Sequence, residues 1–419
     1  MRRRIDENGS WRSFRHRNYR ILYPANALSN IGTWAQRVAQ DWLVLELTDN
    51  SGTALGLVTA VQFAPVLFFS LHGGALADKV NKRKLLIFTN ILAALSCYAV
   101  GFLVVFDAIK LWHVFLGAAV LGIASAIDAP IRMAFTSELV GQSDVANAVS
   151  LNSANFNAGR LFGPALSGFL IATFSTGPSF LINATTYLFV IGSLLAMRER
   201  DFFIHKKEET LGTVREGIRY ALARPDLYVV MLMVFFAATF GLNFQIFNAL
   251  MATEVFFKGA ASYGLLGTFI AVGSLSGALI SARLDKVRNT RLIIKLGMVF
   301  SIAVIALSIA PSYTSYAIWL PICGLTALTM LISANSYVQT HSDPAVRGRV
   351  MGIYLLIFMG GTPFGSPLIG FLAEAVGVRE TVAICGGISL AASVIIWAIF
   401  RNKVEAPEDM RVSAVLPQI

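Results

Sequence analysis

The sequence predicts an all-α membrane protein with twelve transmembrane helices in two related halves of six. Three observations carry that prediction. The first is composition: 56% of residues are hydrophobic and 14% charged, where soluble domains carry about a quarter charged residues. Long uncharged runs such as 50–71, 85–106, 227–253 and 350–373 are each long enough to cross roughly 30 Å of hydrocarbon as a helix. The second is charge placement. Of 34 Lys and Arg, 28 fall in the two tails or in alternate loops near 79–84, 198–224, 283–295 and 347–349, while the opposite loops hold only Lys110, Lys258 and Arg379. Cations are retained on the inner side of a membrane, so this asymmetry places both termini in the cytoplasm and calls for an even number of spans. The third is an internal repeat. Asp78-Lys79-Val80 returns as Asp285-Lys286-Val287, and Gly163-Pro164-Ala165-Leu166-Ser167-Gly168-Phe169-Leu170 as Gly365-Ser366-Pro367-Leu368-Ile369-Gly370-Phe371-Leu372. Shared apolar composition does not produce a repeated Asp-Lys-Val at matching topological positions.

Taken in order, residues 1–20 form a cytoplasmic tail. Its Trp11, Phe14, His16 and Tyr19 among arginines read, to about residue 18, as an amphipathic segment lying at the interface. The run after Met1-Arg2-Arg3-Arg4 is polar and mixed, unlike a removable signal peptide. The first six-helix bundle covers 21–198, with spans near 21–47, 53–77, 84–106, 111–133, 145–173 and 178–198. A cytoplasmic linker, 199–225, holds Val214, Ile218 and Ala221-Leu222 at helical spacing and predicts a short amphipathic helix. The second bundle covers 226–401, with spans near 227–253, 261–284, 291–310, 315–339, 347–373 and 379–400, and 402–419 form a cytoplasmic tail. The uncharged runs 161–197 and 296–340 each divide into two spans, at Ser175-Thr176-Gly177-Pro178 and at Pro311-Ser312. Net charge is +10, but its distribution is topological and does not indicate nucleic acid. Cys97, Cys323 and Cys385 sit singly in apolar spans and read as small core residues.

Polar residues inside spans are expensive and mark pathways by default. Span 1 carries Gln36, Arg37, Gln40, Asp41 and Glu46. Arg37 and Asp41 are one turn apart and can pair; Asp41 lies deep in the span and Glu46 near its outer end. A desolvated carboxylate there can take a proton from one side and release it on the other, so Asp41 and Glu46 are the proton-coupling candidates. A permanently paired Arg37–Asp41 bridge would make Asp41 structural instead. Span 4 carries Asp128 and Arg132 at the same spacing around Pro130, near the inner end, which suits a gate pair. Asn152, Asn155 and Arg160 in span 5 and Asn243 and Asn248 in span 7 complete the candidate cavity. Gly159, Gly163 and Ser167 are four apart and give a small-residue packing face, with Pro164 permitting a bend.

Two motifs carry a family resemblance. Gly74, Asp78, Lys79 and the Lys82-Arg83-Lys84 cluster resemble the loop between helices 2 and 3 of the major facilitator superfamily, with Asn81 in place of its second glycine. Residues 157–168, containing Gly159, Gly163, Pro164 and Gly168, resemble that family's exporter motif in span 5. With the polar run 33–43 and Asp128-x-Pro-x-Arg132, the first half resembles the drug:proton antiporter branch that includes macrolide-efflux and enterobactin-exporter proteins. The resemblance implies alternating access, a latch at Gly74, Asp78, Lys79, Arg83 and the repeat mate Asp285, and export of a small amphiphilic compound, drug or siderophore, against protons. It also implies a monomer in a bacterial inner membrane, surrounded by lipid.

Other chemistries find no support. No Gly-x-x-x-x-Gly-Lys-Ser/Thr loop is present, and the 5 histidines lack metal-ligand spacing. The expectation is a carrier with no cofactor, no metal and no catalytic residue. Three rivals stand beside the exporter: a lysophospholipid or other lipid flippase on the same fold, a membrane sensor or assembly partner that does not transport, and an uptake symporter, which only the resemblance of span 5 to exporters disfavours.

Overall fold

The computed structural model describes residues 9–79, 81–203, 214–284, 289–344 and 346–404, apart from the side chains of 70–79, 214 and 402–404. Among these residues helix follows helix and no strand occurs. The first half holds α1 (Arg17–Leu47), α2 (Gly52–Lys79), α3 (Lys82–Val105), α4 (Leu111–Val140), α5 (Val145–Thr173) and α6 (Gly177–Leu195). The short α7 (Val214–Ala223) follows, where the sequence predicts an amphipathic helix; its Ala221 is buried, while Ile218 and Leu222 are exposed. The second half holds α8 (Pro225–Phe236), α9 (Phe244–Leu250), α10 (Ala260–Arg283), α11 (Thr290–Ser308), α12 (Tyr313–His341), α13 (Arg347–Gly360), α14 (Thr362–Val376) and α15 (Val378–Val404).

Among the described residues, ten stretches are long and apolar enough to cross a membrane, with α8–α9 and α13–α14 each making one. Helices α1 and α5 complete the twelve. At 31 and 29 residues they are long enough, but their Arg, Asp, Gln and Asn residues make them too polar to stand out by hydropathy.

Two spans differ from the expectation of unbroken helices. Span 7 is interrupted by π-helical turns at Ala237–Gly241 and Met251–Val255, on either side of α9. At the first, Asn243 Nδ2 donates to the carbonyl of Thr239 at 2.8 Å, a side-chain bond that competes with the helical ladder. Such turns concentrate at functional positions. Span 11 breaks at Gly361, and Pro363 then occupies the first turn of α14, where its missing N–H has no helical partner to lose.

In the N-terminal segment, Arg12–Arg15 form a 3₁₀ turn that docks on the chain between α4 and α5. Asp144 there is the reason: its side chain is 2% exposed and meets Arg12 Nε at 3.2 Å, Arg15 Nε at 2.9 Å and His16 Nε2 at 2.7 Å. A buried carboxylate demands such partners. Burial alone would raise the Asp144 pKa, but the His16 hydrogen bond and the Arg15 charge outweigh it and hold the carboxyl below its usual range. Ser13, fully buried, donates to Asn147 Oδ1 at 2.6 Å.

The chain divides into two compact units: Met1–Asp49, Phe68–Glu209 and Lys258–Thr268 in the first, and Asn50–Leu67, Thr210–Phe257 and Phe269–Ile419 in the second. The repeated glycine motif explains the exchanged pieces. In the first unit, the start of α10 lies so close to α5 that a methyl group on Gly264 would overlap the Pro164 carbonyl, and one on Gly168 would press on Ala260 and Ala261. In the second, the start of α2 meets α14 in the same way, Gly56 against Ser366 and Gly52 against Gly370. Only glycine permits these backbone approaches. Glu374 also caps the first turn of α2, accepting from Thr53 N at 2.9 Å, Ser51 Oγ at 2.6 Å and Thr53 Oγ1 at 2.6 Å; a carboxylate at a helix N-terminus is favoured by the helix dipole.

Candidate functional site

A cavity of about 340 Å³ opens within the first unit, lined from α1, α3, α4, α5 and α6. Twelve of its sixteen lining residues have polar side chains, which accounts for the weak hydropathy of α1 and α5. Its charged centre is the Asp128–Arg132 pair of α4. The guanidinium grips the carboxylate twice, Nε to Oδ1 at 2.6 Å and Nη2 to Oδ2 at 2.8 Å. One helical turn of spacing makes this bidentate contact available. Neighbouring helices complete the shell. Arg132 Nη1 donates to Asn26 Oδ1 of α1 at 2.6 Å, while Thr89 Oγ1 and Asn90 Nδ2 of α3 donate to Asp128 Oδ2 at 3.0 and 3.1 Å. The pair therefore clips three helices together.

Amides fill much of the remaining wall. Asn30 Nδ2 donates to Asn155 Oδ1 at 3.3 Å, and Asn155 Nδ2 to the carbonyl of Tyr23 at 3.3 Å. Asn152 accepts from Tyr19 Oη at 3.1 Å. These bonds are long for neutral amide contacts, so a ligand offering its own donors and acceptors can compete for them. Phe156 contributes one apolar face, and Thr33 and Tyr187 lie 3.4 Å apart at another wall.

The acid of α1 sits in a second polar cluster, further along that helix. Asp41 is 4% exposed and accepts from Tyr263 Oη of α10 at 2.7 Å; Tyr263 is itself 3% exposed. Trp42 stacks on the Tyr263 ring with centroids 6.2 Å apart and donates Nε1 to Glu46 Oε1 at 2.7 Å. Glu46 is exposed, so the two proton candidates have opposite surroundings. Gln36 and Gln40, both buried, bond to each other at 3.1 Å. Arg37 and Arg160 place their guanidinium carbons 4.9 and 5.8 Å from the Trp34 ring centroid, a cation–π arrangement that offsets part of their desolvation.

Of the residues singled out by sequence, Asp128, Arg132, Asn152 and Asn155 line the cavity together, with Asn26, Asn30, Thr89 and Asn90, which sequence reasoning missed. Gln36, Arg37, Gln40, Asp41, Glu46 and Arg160 are not among its lining residues. Asn243 and Asn248 belong to the second unit, where Asn248 accepts from Tyr316 Oη at 2.9 Å. Gly159 and Gly163 face α1, at Asn30 and at Ile31 and Trp34, while Pro164 and Gly168 face α10; one motif thus serves two helix contacts. Arg83 binds the end of α6, donating to the Leu194 and Leu195 carbonyls at 2.8 and 3.1 Å and pairing with Glu199 at 3.0 Å. It satisfies carbonyls that a helix terminus leaves open. Asp285 lies outside the described residues, and of Gly74, Asp78 and Lys79 only the helical backbone of α2 is described.

The family model described as transmembrane secretion effector, of the major facilitator superfamily, matches residues 8–418. The chain belongs to that family. As a secretion effector it is a transporter and not an enzyme. It is 23% identical to the staphyloferrin A transporter of Staphylococcus aureus, covering 91% of this chain and 96% of that one. It is 24% identical to the multidrug efflux pump Tap of Mycolicibacterium fortuitum, covering 86% and 90%, and 23% identical to the enterobactin exporter EntS of Shigella flexneri, covering 85% of each. Among solved structures, a bacterial homolog of the human lysosomal transporter Spinster aligns with a TM-score of 0.74 at 17% identity, covering 93% of this chain and 99% of that chain. A D-xylose–proton symporter aligns at 0.71 and 13%, covering 90% and 96%. These likenesses establish the major facilitator fold of this secretion effector.

Proposed function

We propose that this protein exports a small amphiphilic compound by alternating access, driven by proton antiport through Asp41. The observation that carries it is the contrast within α1: Asp41 is buried and accepts from the Tyr263 hydroxyl, while Glu46 is exposed. Ionisable side chains buried within a span mark proton pathways, which favours Asp41 as the carrier. The polar cavity supplies the substrate site. Its amides, hydroxyls and one ion pair favour a ligand rich in hydroxyl, amide or carboxylate groups, the siderophore end of the expected range. The multidrug efflux pump and the enterobactin exporter among the similar proteins support the direction.

In this proposal the bundles 21–198 and 226–401 are the moving bodies of a monomer in a bacterial inner membrane, with both tails in the cytoplasm. Asp128 and Arg132 act as a gate pair that substrate contacts loosen, and Asp78 with its repeat mate Asp285 forms the latch. The test is substrate-dependent collapse of a preset pH gradient in inverted vesicles, over a panel of drugs and siderophores. Collapse with a siderophore or drug in vesicles containing the protein, and not in control vesicles, is the expected result. A gradient unaffected by every compound, with lipid scrambling present, would replace export by lipid movement.

A further inference from the structure

The seam between α5 and the start of α10 includes three kinds of contact. Backbone packs on backbone at Pro164–Gly264 and Gly168–Ala260. Thr268 Oγ1 donates to the Leu161 carbonyl at 3.1 Å. Tyr263 reaches from the same turn of α10 to Asp41 of α1. Only the last involves a group that changes charge. We propose that the Tyr263–Asp41 hydrogen bond is a proton-sensitive bolt: ionised Asp41 holds the start of α10 against α5 and α1, and protonated Asp41 lets it go. This inference rests on the reading of Asp41 as proton carrier and adds Tyr263 as the positioning residue that turns its protonation into movement.

The physical basis is the strength of the bond in each state. A hydroxyl donating to a carboxylate makes a charge-assisted bond, roughly twice as strong as one between neutral partners. Protonation turns Asp41 into a neutral acceptor for the same hydroxyl, and the difference corresponds to about a tenfold shift between shut and open seam. Burial of both side chains keeps water from replacing either partner while the seam is shut. The remaining charged and titratable groups around Asp41 are identifiable. Arg37 lies one turn earlier on α1 and interacts electrostatically with Asp41 and with Tyr187 of α6; Arg160 of α5 shares its Trp34 ring. Glu46 connects to Tyr263 through Trp42.

Spin labels at Thr173→Cys, at the end of α5, and Lys258→Cys, just before α10, report the seam by pulsed electron–electron distance measurement. The full chain is used in lipid nanodiscs at pH 8 and pH 5, with Cys97, Cys323 and Cys385 replaced by alanine. The labelled protein is expected to gain a longer-distance population at pH 5, by about tenfold in the open-to-shut ratio. Tyr263→Phe keeps the ring on Trp42 and is expected to show that population at both pH values. Thr268→Val removes a bond that does not titrate, so it is expected to shift the ratio while preserving its pH dependence. A full pH response in Tyr263→Phe overturns the bolt and leaves Asp41 as carrier untouched. Where that variant yields no folded protein, Asp41→Asn decides: open at both pH values supports the bolt, and distances matching the unsubstituted protein at pH 8 overturn it. Failure of the carrier reading shows elsewhere, as gradient-driven transport retained by Asp41→Asn.

Discussion

Replacing Asp128 by Asn and Arg132 by Gln, singly and together, measures how firmly the cavity's charged centre binds its helices. With the charges about 4 Å apart and an effective dielectric of about 20, the attraction is roughly 4 kcal/mol. The side chains are 18% and 29% exposed, and solvent screening at that exposure reduces the expected coupling to about 2 kcal/mol. Each single substitution also strands its partner. Asp128→Asn leaves the Arg132 charge on Asn26 alone, and Arg132→Gln leaves the carboxylate on Thr89 and Asn90. Each is expected to destabilise the protein by about 3 kcal/mol, and the double variant by about 2 kcal/mol less than the sum of the two. Unfolding by SDS titration of purified protein in mixed micelles, followed by tryptophan fluorescence, gives the three differences. A coupling below about 0.5 kcal/mol would refute the pair as an energetic unit.

Acid is expected to release the N-terminal turn. Folding lowers the Asp144 pKa, so its contribution is complete above the ordinary carboxylate range and is lost as pH falls through the lowered value. The line shape of a nitroxide at Trp11→Cys is expected to sharpen towards pH 3, and at neutral pH in Asp144→Asn; an unchanged spectrum in both would contradict the clamp. Gly163→Val drives a side chain into Trp34 and the Ile31 carbonyl and is expected to cost about 1–3 kcal/mol by overpacking. Gly192→Ala, which meets nothing within 4 Å, is expected to leave the melting temperature unchanged or slightly raised, since the gain in helix propensity is about 1 kcal/mol at most. Equal melting temperatures for the two variants would remove the packing role of the α5 motif.

The twelve helices were legible because membrane spans are read from length and charge alone, and the repeat from Asp78-Lys79-Val80 and its mate. Interruption of span 7 was less legible. Asn243 bonding back to Thr239 is a local event whose residues occur equally in intact helices. Gly360-Gly361-Thr362-Pro363, by contrast, carries a readable break. In the candidate site, Asp128 and Arg132 were visible because charge in a span is costly. Asn26, Asn30, Thr89 and Asn90 were not, since a neutral polar residue in a span has no distinguishing signal until helices converge. Tyr263 was hidden for a stronger reason: it lies 222 residues from Asp41, and tyrosine at the start of a span usually signals only an interfacial anchor. Asp144 carries no sequence signal of its own, because its burial depends on the tail folding back.

Asp41→Asn in proteoliposomes separates carrying substrate from coupling it to protons. Once the vesicle assay names a substrate, exchange of labelled for unlabelled substrate requires reorientation of the loaded carrier but no net proton movement. Uptake against a gradient requires both. Asp41→Asn is expected to retain exchange, slowed by the bias towards an open seam, and to lose accumulation driven by a pH gradient. Accumulation that survives in Asp41→Asn, in step with the imposed gradient, would contradict proton antiport through Asp41.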